Sequence, residues 1–131
     1  MAEKSRALRV LVVEDELLIR WSIAETLEGC GHAIVQAEDA ATARERLRDS
    51  SWHFDVVLLD YRLPDSSDLQ LLASVRQLSP RSAVVLMTAY ITPDVVKGAL
   101  DLGAYRVISK PFDVHELEAL LLEASTSGVS R

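Results

Sequence analysis

Five short runs rich in aliphatic and β-branched residues alternate with five longer segments of helical periodicity along this 131-residue chain. The apolar runs are predicted strands, at 8–13, 33–36, 55–59, 83–87 and 106–109. The predicted helices cover about 16–29, 39–49, 67–78, 93–102 and 113–124. Strands that are apolar almost throughout are typical of a parallel sheet covered on both faces. This alternation therefore predicts a doubly wound α/β sheet.

The chain length leaves room for one domain, because domains usually span roughly 100–200 residues. The short connections between the predicted elements carry breakers such as Gly31, Pro64 and Gly103, and no linker or low-complexity stretch interrupts the pattern. We therefore expect a single domain over residues 1–131, with a core at about 8–124 and short flexible termini.

Charge and cysteine content exclude several classes of function. Acidic residues outnumber lysine and arginine by 20 to 14, which argues against direct nucleic-acid binding by this chain. Cys30 is the only cysteine, so neither an internal disulfide nor a zinc site built from several cysteines is expected. The first residues lack the apolar centre of a signal peptide, and no apolar run approaches the ~20 residues of a membrane span. These features predict a cytoplasmic protein that does not bind a membrane.

Polar residues stand at the ends of four of the five predicted strands. Glu14 and Asp15 follow the first strand, Asp60 the third, Thr88 the fourth and Lys110 the fifth. The carboxyl ends of parallel strands meet at one edge of the sheet, where ligands bind. Clustered carboxylates repel one another unless a cation is present, and oxygen ligands suit Mg²⁺, with Mn²⁺ as an alternative. The pattern predicts a site for phosphoryl transfer with Asp60 as nucleophile, and with Lys110 and Thr88 contacting phosphoryl oxygens.

Four motifs surround these residues. They are Val12-Val13-Glu14-Asp15-Glu16, Leu58-Leu59-Asp60-Tyr61-Arg62-Leu63-Pro64-Asp65, Met87-Thr88-Ala89-Tyr90, and Gly103-Ala104 leading to Lys110-Pro111-Phe112. Together they resemble the receiver domain of two-component response regulators, over about residues 8–124. The resemblance implies a flavodoxin-like, or CheY-like, fold: a five-stranded parallel sheet of order 2-1-3-4-5 flanked by five helices.

The resemblance implies a role for each matching residue. Asp60 would accept a phosphoryl group from a sensor histidine kinase or a phosphotransfer protein. Phosphorylation would then switch a protein-interaction surface and control an output domain or effector protein outside this chain, for example in transcription regulation. The implied magnesium ligands are Glu14 (through water), Asp15, Asp60 and the backbone carbonyl of Arg62. The implied phosphoryl-binding residues are Thr88 and Lys110, and the Lys110–Pro111 peptide bond is expected to be cis.

Some positions depart from the family pattern. The family usually has an aromatic residue three positions before the lysine, where this chain has Val107, and the nearest aromatic residues are Tyr105 and Tyr90. We therefore expect switching to rely on Thr88 with a smaller rearrangement of Val107, and Tyr90 to report it. A glycine common near position 68 is replaced by Asp68, which we expect to cap or begin the third helix. The charges of a common family dimer are incompletely matched, so we expect a monomer or a weak homodimer.

The first predicted helix has apolar residues on two faces. At about 100° per residue, Ile23 and Leu27 lie on the stripe expected to face the sheet. Leu17 and Trp21 lie on the opposite side, and receiver domains dock kinases with the exposed start of this helix. Leu17, Leu18 and Trp21, here called the docking ledge, are therefore the predicted contact with a kinase or phosphotransfer protein.

Two other functions remain open. A phosphatase of the haloacid-dehalogenase type would also use an aspartyl nucleophile, but it needs a second aspartate two residues later, where this chain has Arg62. A phosphorylation-independent pseudo-receiver would act as an interaction module alone. Such modules usually lack one of the acids, the acceptor or the lysine, all of which are present here. The prediction is a switch that catalyses its own phosphorylation and dephosphorylation, and not a metabolic enzyme.

Overall fold

The computed structural model describes residues 7–49, 51 and 53–129, which form one parallel sheet with helices on both faces. The strands are β1 (Arg9–Val13), β2 (Ala33–Ala37), β3 (Val56–Asp60), β4 (Ala83–Thr88) and β5 (Arg106–Ser109). The helices are α1 (Leu17–Gly29), α2 (Ala40–Arg48), α3 (Gln70–Leu78), α4 (Pro93–Asp101) and α5 (Val114–Val129). The strand order is β2-β1-β3-β4-β5, as predicted.

The sheet separates two apolar cores. One core packs α2, α3 and α4 against one face of the sheet, and the other packs α1 and α5 against the opposite face. Every residue of β3 and β4 is buried, because these strands are covered on both faces and have neighbours on both sides. The register pairs Asp60 with Met87 and Thr88 with Ser109, so the strands that carry polar residues end at nearly the same level.

Two helices differ from the prediction by more than one residue at an end. Helix α3 begins at Gln70, three residues later than expected, and the carboxylate of Asp68 accepts a hydrogen bond from the Gln70 N–H at 2.9 Å. Helix α5 continues to Val129, five residues beyond its predicted end. The last apolar residue of its pattern, Ala124, is buried, and the hydroxyl of the buried Ser125 donates to the Leu122 carbonyl. Tertiary burial therefore extends a helix whose terminal residues have weak helical propensity.

The fold places all the strand-end residues at one edge. Parallel pairing carries the ends of β1, β3, β4 and β5 to the same side of the sheet. Within the described part of the chain, no helix is both long enough and apolar enough to cross a membrane.

Candidate functional site

Three carboxylates meet at the carboxyl edge of the sheet. Glu14 and Asp60 are buried at the ends of β1 and β3, and Asp15 is exposed beside them. One oxygen of each carboxylate lies within 4.8 Å of the others. The backbone N–H of Glu14 donates to the Ala37 carbonyl at 3.0 Å, which fixes the first acid to the end of β2.

Lys110 joins two of these acids. Its Nζ lies 2.7 Å from Oε1 of Glu14 and donates a hydrogen bond to Oδ2 of Asp60 at 3.0 Å. Its backbone N–H donates to the Thr88 carbonyl at 2.9 Å, so β4 sets where the lysine side chain begins. The following peptide bond, Lys110–Pro111, is cis.

The charges of this cluster do not balance. Burial, and then the charge of Glu14, raise the pKa of Asp60 to about 6, although Lys110 and the Arg62 N–H oppose the increase. Burial lowers the pKa of Lys110, but its hydrogen bonds and ion pairs with Glu14 and Asp60 outweigh that effect and leave this pKa raised. One ammonium faces three carboxylates, which leaves a formal charge of −2 when all are ionised. The cluster therefore favours an additional cation.

The two carboxylate oxygens of the buried Glu14 have different partners. Oε2 of Glu14 accepts a hydrogen bond from the Glu16 N–H at 3.0 Å. Oε1 of Glu14, which is fully buried, forms the ion pair with Lys110 but has no hydrogen bond of favourable geometry among the described residues. An all-oxygen donor set with excess negative charge fits a hard divalent cation such as Mg²⁺.

A sequence model of the response regulator receiver domain matches residues 10–122. The chain belongs to the response regulator receiver domain family. Its sequence is 36% identical over 115 residues to the DNA-binding transcriptional regulator NtrC of Escherichia coli, covering 88% of this chain and 24% of NtrC. It is 38% identical over 125 residues to the sensor histidine kinase AruS of Pseudomonas aeruginosa, covering 92% of this chain and 12% of AruS. The chain thus spans a quarter or less of these relatives.

Solved structures agree with this assignment. The CheY-like receiver domain protein of Methanospirillum hungatei superposes with a TM-score of 0.88 at 25% identity, covering 95% of this chain and 98% of that one. The receiver domain of an HD domain-containing protein from Pseudomonas fluorescens gives a TM-score of 0.85 at 28% identity, covering 96% and 100% of the two chains. The predicted receiver fold is confirmed.

The hydroxyl of Thr88 makes two hydrogen bonds to the protein backbone in this receiver domain. Thr88 is buried at the end of β4, where its Oγ1 accepts from the Tyr90 N–H at 3.2 Å and donates to the Tyr90 carbonyl at 3.4 Å. The side chain of Tyr90 is 75% exposed. Thr88 therefore contacts the backbone of the β4–α4 loop, and the Tyr90 ring lies outside the core.

Tyr105 cannot replace the missing aromatic residue of β5. Val107 pairs with Leu86 and packs into the core on the α4 side. Tyr105 packs into the opposite core, and its hydroxyl donates to Glu123 of α5 at 2.6 Å. The two side chains are thus on different faces of the sheet, although they are only two residues apart.

The docking ledge is exposed. Leu17, Leu18 and Trp21 are 64%, 79% and 56% accessible. Leu18 also borders a surface cavity of about 550 Å³ between α1 and the β5–α5 connection, whose wall includes Lys110 and Phe112. An apolar surface thus lies directly beside the cluster of acids.

Sequence reasoning missed two polar residues that support the site. Nη1 of Arg20 donates to the Glu14 carbonyl at 2.8 Å, and its Nε donates to Oε1 of Gln36 at 3.0 Å. Asp65 accepts hydrogen bonds from the first residues of α2. A charged residue six positions after Glu14 is common on any exposed helix, so the sequence contains no distinctive signal for Arg20. Asp65 lies inside a recognised motif, but its partners are 24 and 25 residues away.

Proposed function

We propose that this receiver domain is a Mg²⁺-dependent phosphoacceptor that takes a phosphoryl group from a phosphohistidine onto Asp60. The observation that carries the proposal is the buried Asp60 carboxylate, which contacts the Lys110 ammonium at 3.0 Å beside two further acids. A carboxylate in this setting can act as a nucleophile, while the surrounding groups neutralise phosphoryl charge. The proposal extends to this chain what membership of the family implies.

The transfer exchanges one bond to phosphorus for another. An Asp60 oxygen forms a bond to phosphorus as the phosphorus–nitrogen bond of the donor breaks, and the imidazole nitrogen leaves with the electron pair and takes up a proton from solvent. Lys110 is placed to hold a phosphoryl oxygen, because its Nζ already lies beside the acceptor carboxylate. Water attack on the acyl phosphate later regenerates Asp60 and releases inorganic phosphate.

The residues that would hold the magnesium ion are Glu14 (through water), Asp15, Asp60 and the backbone carbonyl of Arg62. When bound, Mg²⁺ neutralises negative charge on the carboxylates and on the transferred phosphoryl group. The N–H of Arg62 donates to Oδ1 of Asp60 at 3.3 Å, which keeps the Arg62 backbone next to the acceptor. Manganese, which also accepts oxygen ligands, is expected to substitute.

Thr88 is the switch residue in this proposal. A hydroxyl donates one hydrogen bond, and the Thr88 hydroxyl now donates to the Tyr90 carbonyl. Donation to a phosphoryl oxygen therefore releases that carbonyl, and the β4–α4 loop rearranges ahead of Thr92, whose side chain caps α4 by accepting from the Val95 N–H. With Val107 in place of an aromatic residue, we expect the exposed Tyr90 to report this change.

Phosphoryl uptake from phosphoramidate tests the acceptor. This small donor carries a phosphorus–nitrogen bond and needs no kinase. We expect Mg²⁺-dependent labelling of the wild-type protein and none of Asp60→Asn, measured by intact-protein mass spectrometry. The matched control is Asp68→Asn, an exposed acid of the same loop, which should be labelled at the wild-type rate. Failure of the wild-type protein to take up phosphate would support the pseudo-receiver alternative instead.

The docking ledge provides a place for the phosphoryl donor. Leu17, Leu18 and Trp21 are exposed beside the cavity that reaches Lys110, so an apolar helix of a kinase or phosphotransfer protein seated there would bring its histidine close to Asp60. Exposed apolar surface of this kind is typical of protein–protein contacts. The relatives are much longer than this chain, which supports control of an output domain or a separate effector protein.

Comparing a protein donor with a small-molecule phosphoryl donor distinguishes an effect on kinase docking from an effect on the phosphorylation chemistry. A panel of autophosphorylated histidine kinases would be profiled for transfer, and the fastest kinase then used. We expect Trp21→Ala to slow transfer from that kinase at least tenfold and to leave labelling by phosphoramidate unchanged. The control is Leu100→Ala, an apolar residue of similar exposure on α4. Equal slowing with both donors, or equal slowing by both variants, would contradict the assignment of the ledge.

A further inference from the structure

Asp65 connects the loop after the phosphoacceptor strand to a different helix. It lies in the β3–α3 loop, five residues after Asp60. Its Oδ1 accepts the backbone N–H of Ala40 at 2.8 Å, and its Oδ2 accepts the N–H of Ala41 at 3.0 Å. Both carboxylate oxygens are therefore used to bind the first turn of α2.

Helix α2 already has a cap of its own. The first N–H groups of a helix lack partners within the helix, and one N-cap side chain commonly accepts from one of them. Asp39 does so here, since its Oδ1 accepts the Thr42 N–H at 2.8 Å. Interaction with the Thr42 side chain, and then with its backbone N–H, lowers the pKa of Asp39. The second carboxylate on this helix comes from a distant loop, which indicates a role besides capping.

The β3–α3 loop is itself closed by a backbone bridge between Leu63 and Ser66. Leu63 and Ser66 exchange two backbone hydrogen bonds, at 2.8 and 3.2 Å. Arg62 directly precedes this pair, and its N–H contacts Asp60. Because the loop is a closed unit, a tether at Asp65 restrains the peptide of Arg62 as well.

Glu14, on the opposite side of the proposed cation site, is also held next to the start of α2. Helix α2 follows β2 after two residues, and the last residue of β2, Ala37, accepts the N–H of Glu14. Asp65 thus ties the loop that carries the Arg62 carbonyl to the turn that holds Glu14. Without this tether, the two sets of proposed cation ligands would be connected mainly through the sheet.

We propose that Asp65 is a positioning residue that holds the β3–α3 loop, and with it the Arg62 carbonyl, in place for the divalent cation. This inference rests on the proposed cation site. Groups that orient metal ligands typically change metal affinity by roughly 10–100-fold when removed.

Two alanine variants separate positioning from capping. Asp65→Ala and Asp39→Ala each remove a carboxylate from the same end of α2, but only the first releases the loop. We expect Asp65→Ala to weaken Mg²⁺ binding about tenfold by isothermal titration, and Asp39→Ala to leave the dissociation constant within about twofold of wild type. Asp65→Asn keeps one acceptor oxygen and should lie between wild type and Asp65→Ala.

Hydrogen exchange gives a readout that needs no metal. In the metal-free full chain, the amide of Leu63 should exchange at least tenfold faster in Asp65→Ala than in wild type, and at the wild-type rate in Asp39→Ala. An unchanged exchange rate, or equal changes of Mg²⁺ affinity in the two variants, would overturn the inference. Absence of Mg²⁺ binding by the wild-type protein would instead overturn the proposed cation site, while the exchange comparison still decides whether Asp65 holds the loop.

Discussion

Buried ionisable side chains lie at both edges of the sheet, and the two groups differ in how far their charges and hydrogen bonds are satisfied within the fold. At the carboxyl edge, Glu14 and Asp60 share one ammonium. At the amino edge, the buried His32 accepts the Leu8 N–H on Nδ1 at 3.0 Å and lies 2.8 Å from Glu118 through Nε2. Because Nδ1 is an acceptor, the ring proton lies on Nε2 and points toward Glu118.

The cluster at the amino edge is satisfied by the fold alone, and the cluster at the carboxyl edge is not. Each nitrogen of His32 has a partner within the fold, so this cluster needs no ligand to be satisfied. At the carboxyl edge, Asp60 is ionised at neutral pH although its burial and the charge of Glu14 both disfavour the ionised form. This ionisation lowers the stability of the folded protein. Unfavourable burial of charge of this kind is typical of functional sites, where a bound ligand can supply the compensating positive charge. Removing a side chain should therefore have opposite effects on stability at the two edges.

Replacing His32 should give the largest change in stability. We expect His32→Ala to lower the free energy of unfolding by about 2–4 kcal/mol, because it leaves a buried N–H unsatisfied and opens a cavity. Urea denaturation measures the change, and labelling by phosphoramidate should stay within twofold of wild type. His115→Ala removes an exposed histidine and should change stability by at most about 0.5 kcal/mol. Equal effects of the two variants would show that the His32 contacts contribute little.

Replacing Asp60 should change stability in the other direction. In the presence of EDTA at pH 7.5, we expect Asp60→Asn to raise the free energy of unfolding by about 1–2 kcal/mol, because the amide keeps the shape and removes a destabilised charge. We expect the same variant to abolish phosphorylation. Asp68→Asn removes a charge from the same loop without this burial and should lie within about 0.5 kcal/mol of wild type. A less stable Asp60→Asn protein would mean that the Lys110 ion pair outweighs the repulsion.

The pH dependence should give the smallest of the three effects. The pKa of Asp60 is about 6 in the folded protein against 3.8 as its ordinary value, so between these values the native state binds more protons. The Asp60 contribution to stability is therefore fully present below about pH 4 and is lost as the pH rises through about 6. Between pH 5 and pH 7.5 in EDTA, wild-type stability should fall by about 1 kcal/mol relative to Asp60→Asn. Parallel curves for the two proteins would contradict the pKa shift.

The strand-end residues were predictable because their positions depend on local periodicity. Once the apolar runs are assigned to parallel strands, Asp60 and Lys110 must fall at the same edge of the sheet, whatever the details of the packing. The extent of α5 was not predictable in this way. The Ser125 hydroxyl donates within the helix, to Leu122, but the burial of Ala124 depends on the neighbouring elements of its core rather than on the residues of α5 alone.

The sequence also could not predict which side of the sheet some side chains occupy, or which residues some polar side chains bind. Tyr105 and Val107 differ in which core they enter, because Tyr105 precedes β5 and is outside its alternation. The contacts of Asp65 and Arg20 join loops and helices that approach only after the sheet has formed.

Amino-acid periodicity alone predicted the order of elements and the set of residues at the carboxyl edge, and four short motifs indicated the family by resemblance, because each of these depends on patterns of a few consecutive residues. The tertiary structure decided the charge imbalance around Asp60, the self-contained pairing of His32 and the tether of Asp65. These properties depend on distances between residues far apart in the chain, and burial in a low-dielectric interior makes those distances energetically important.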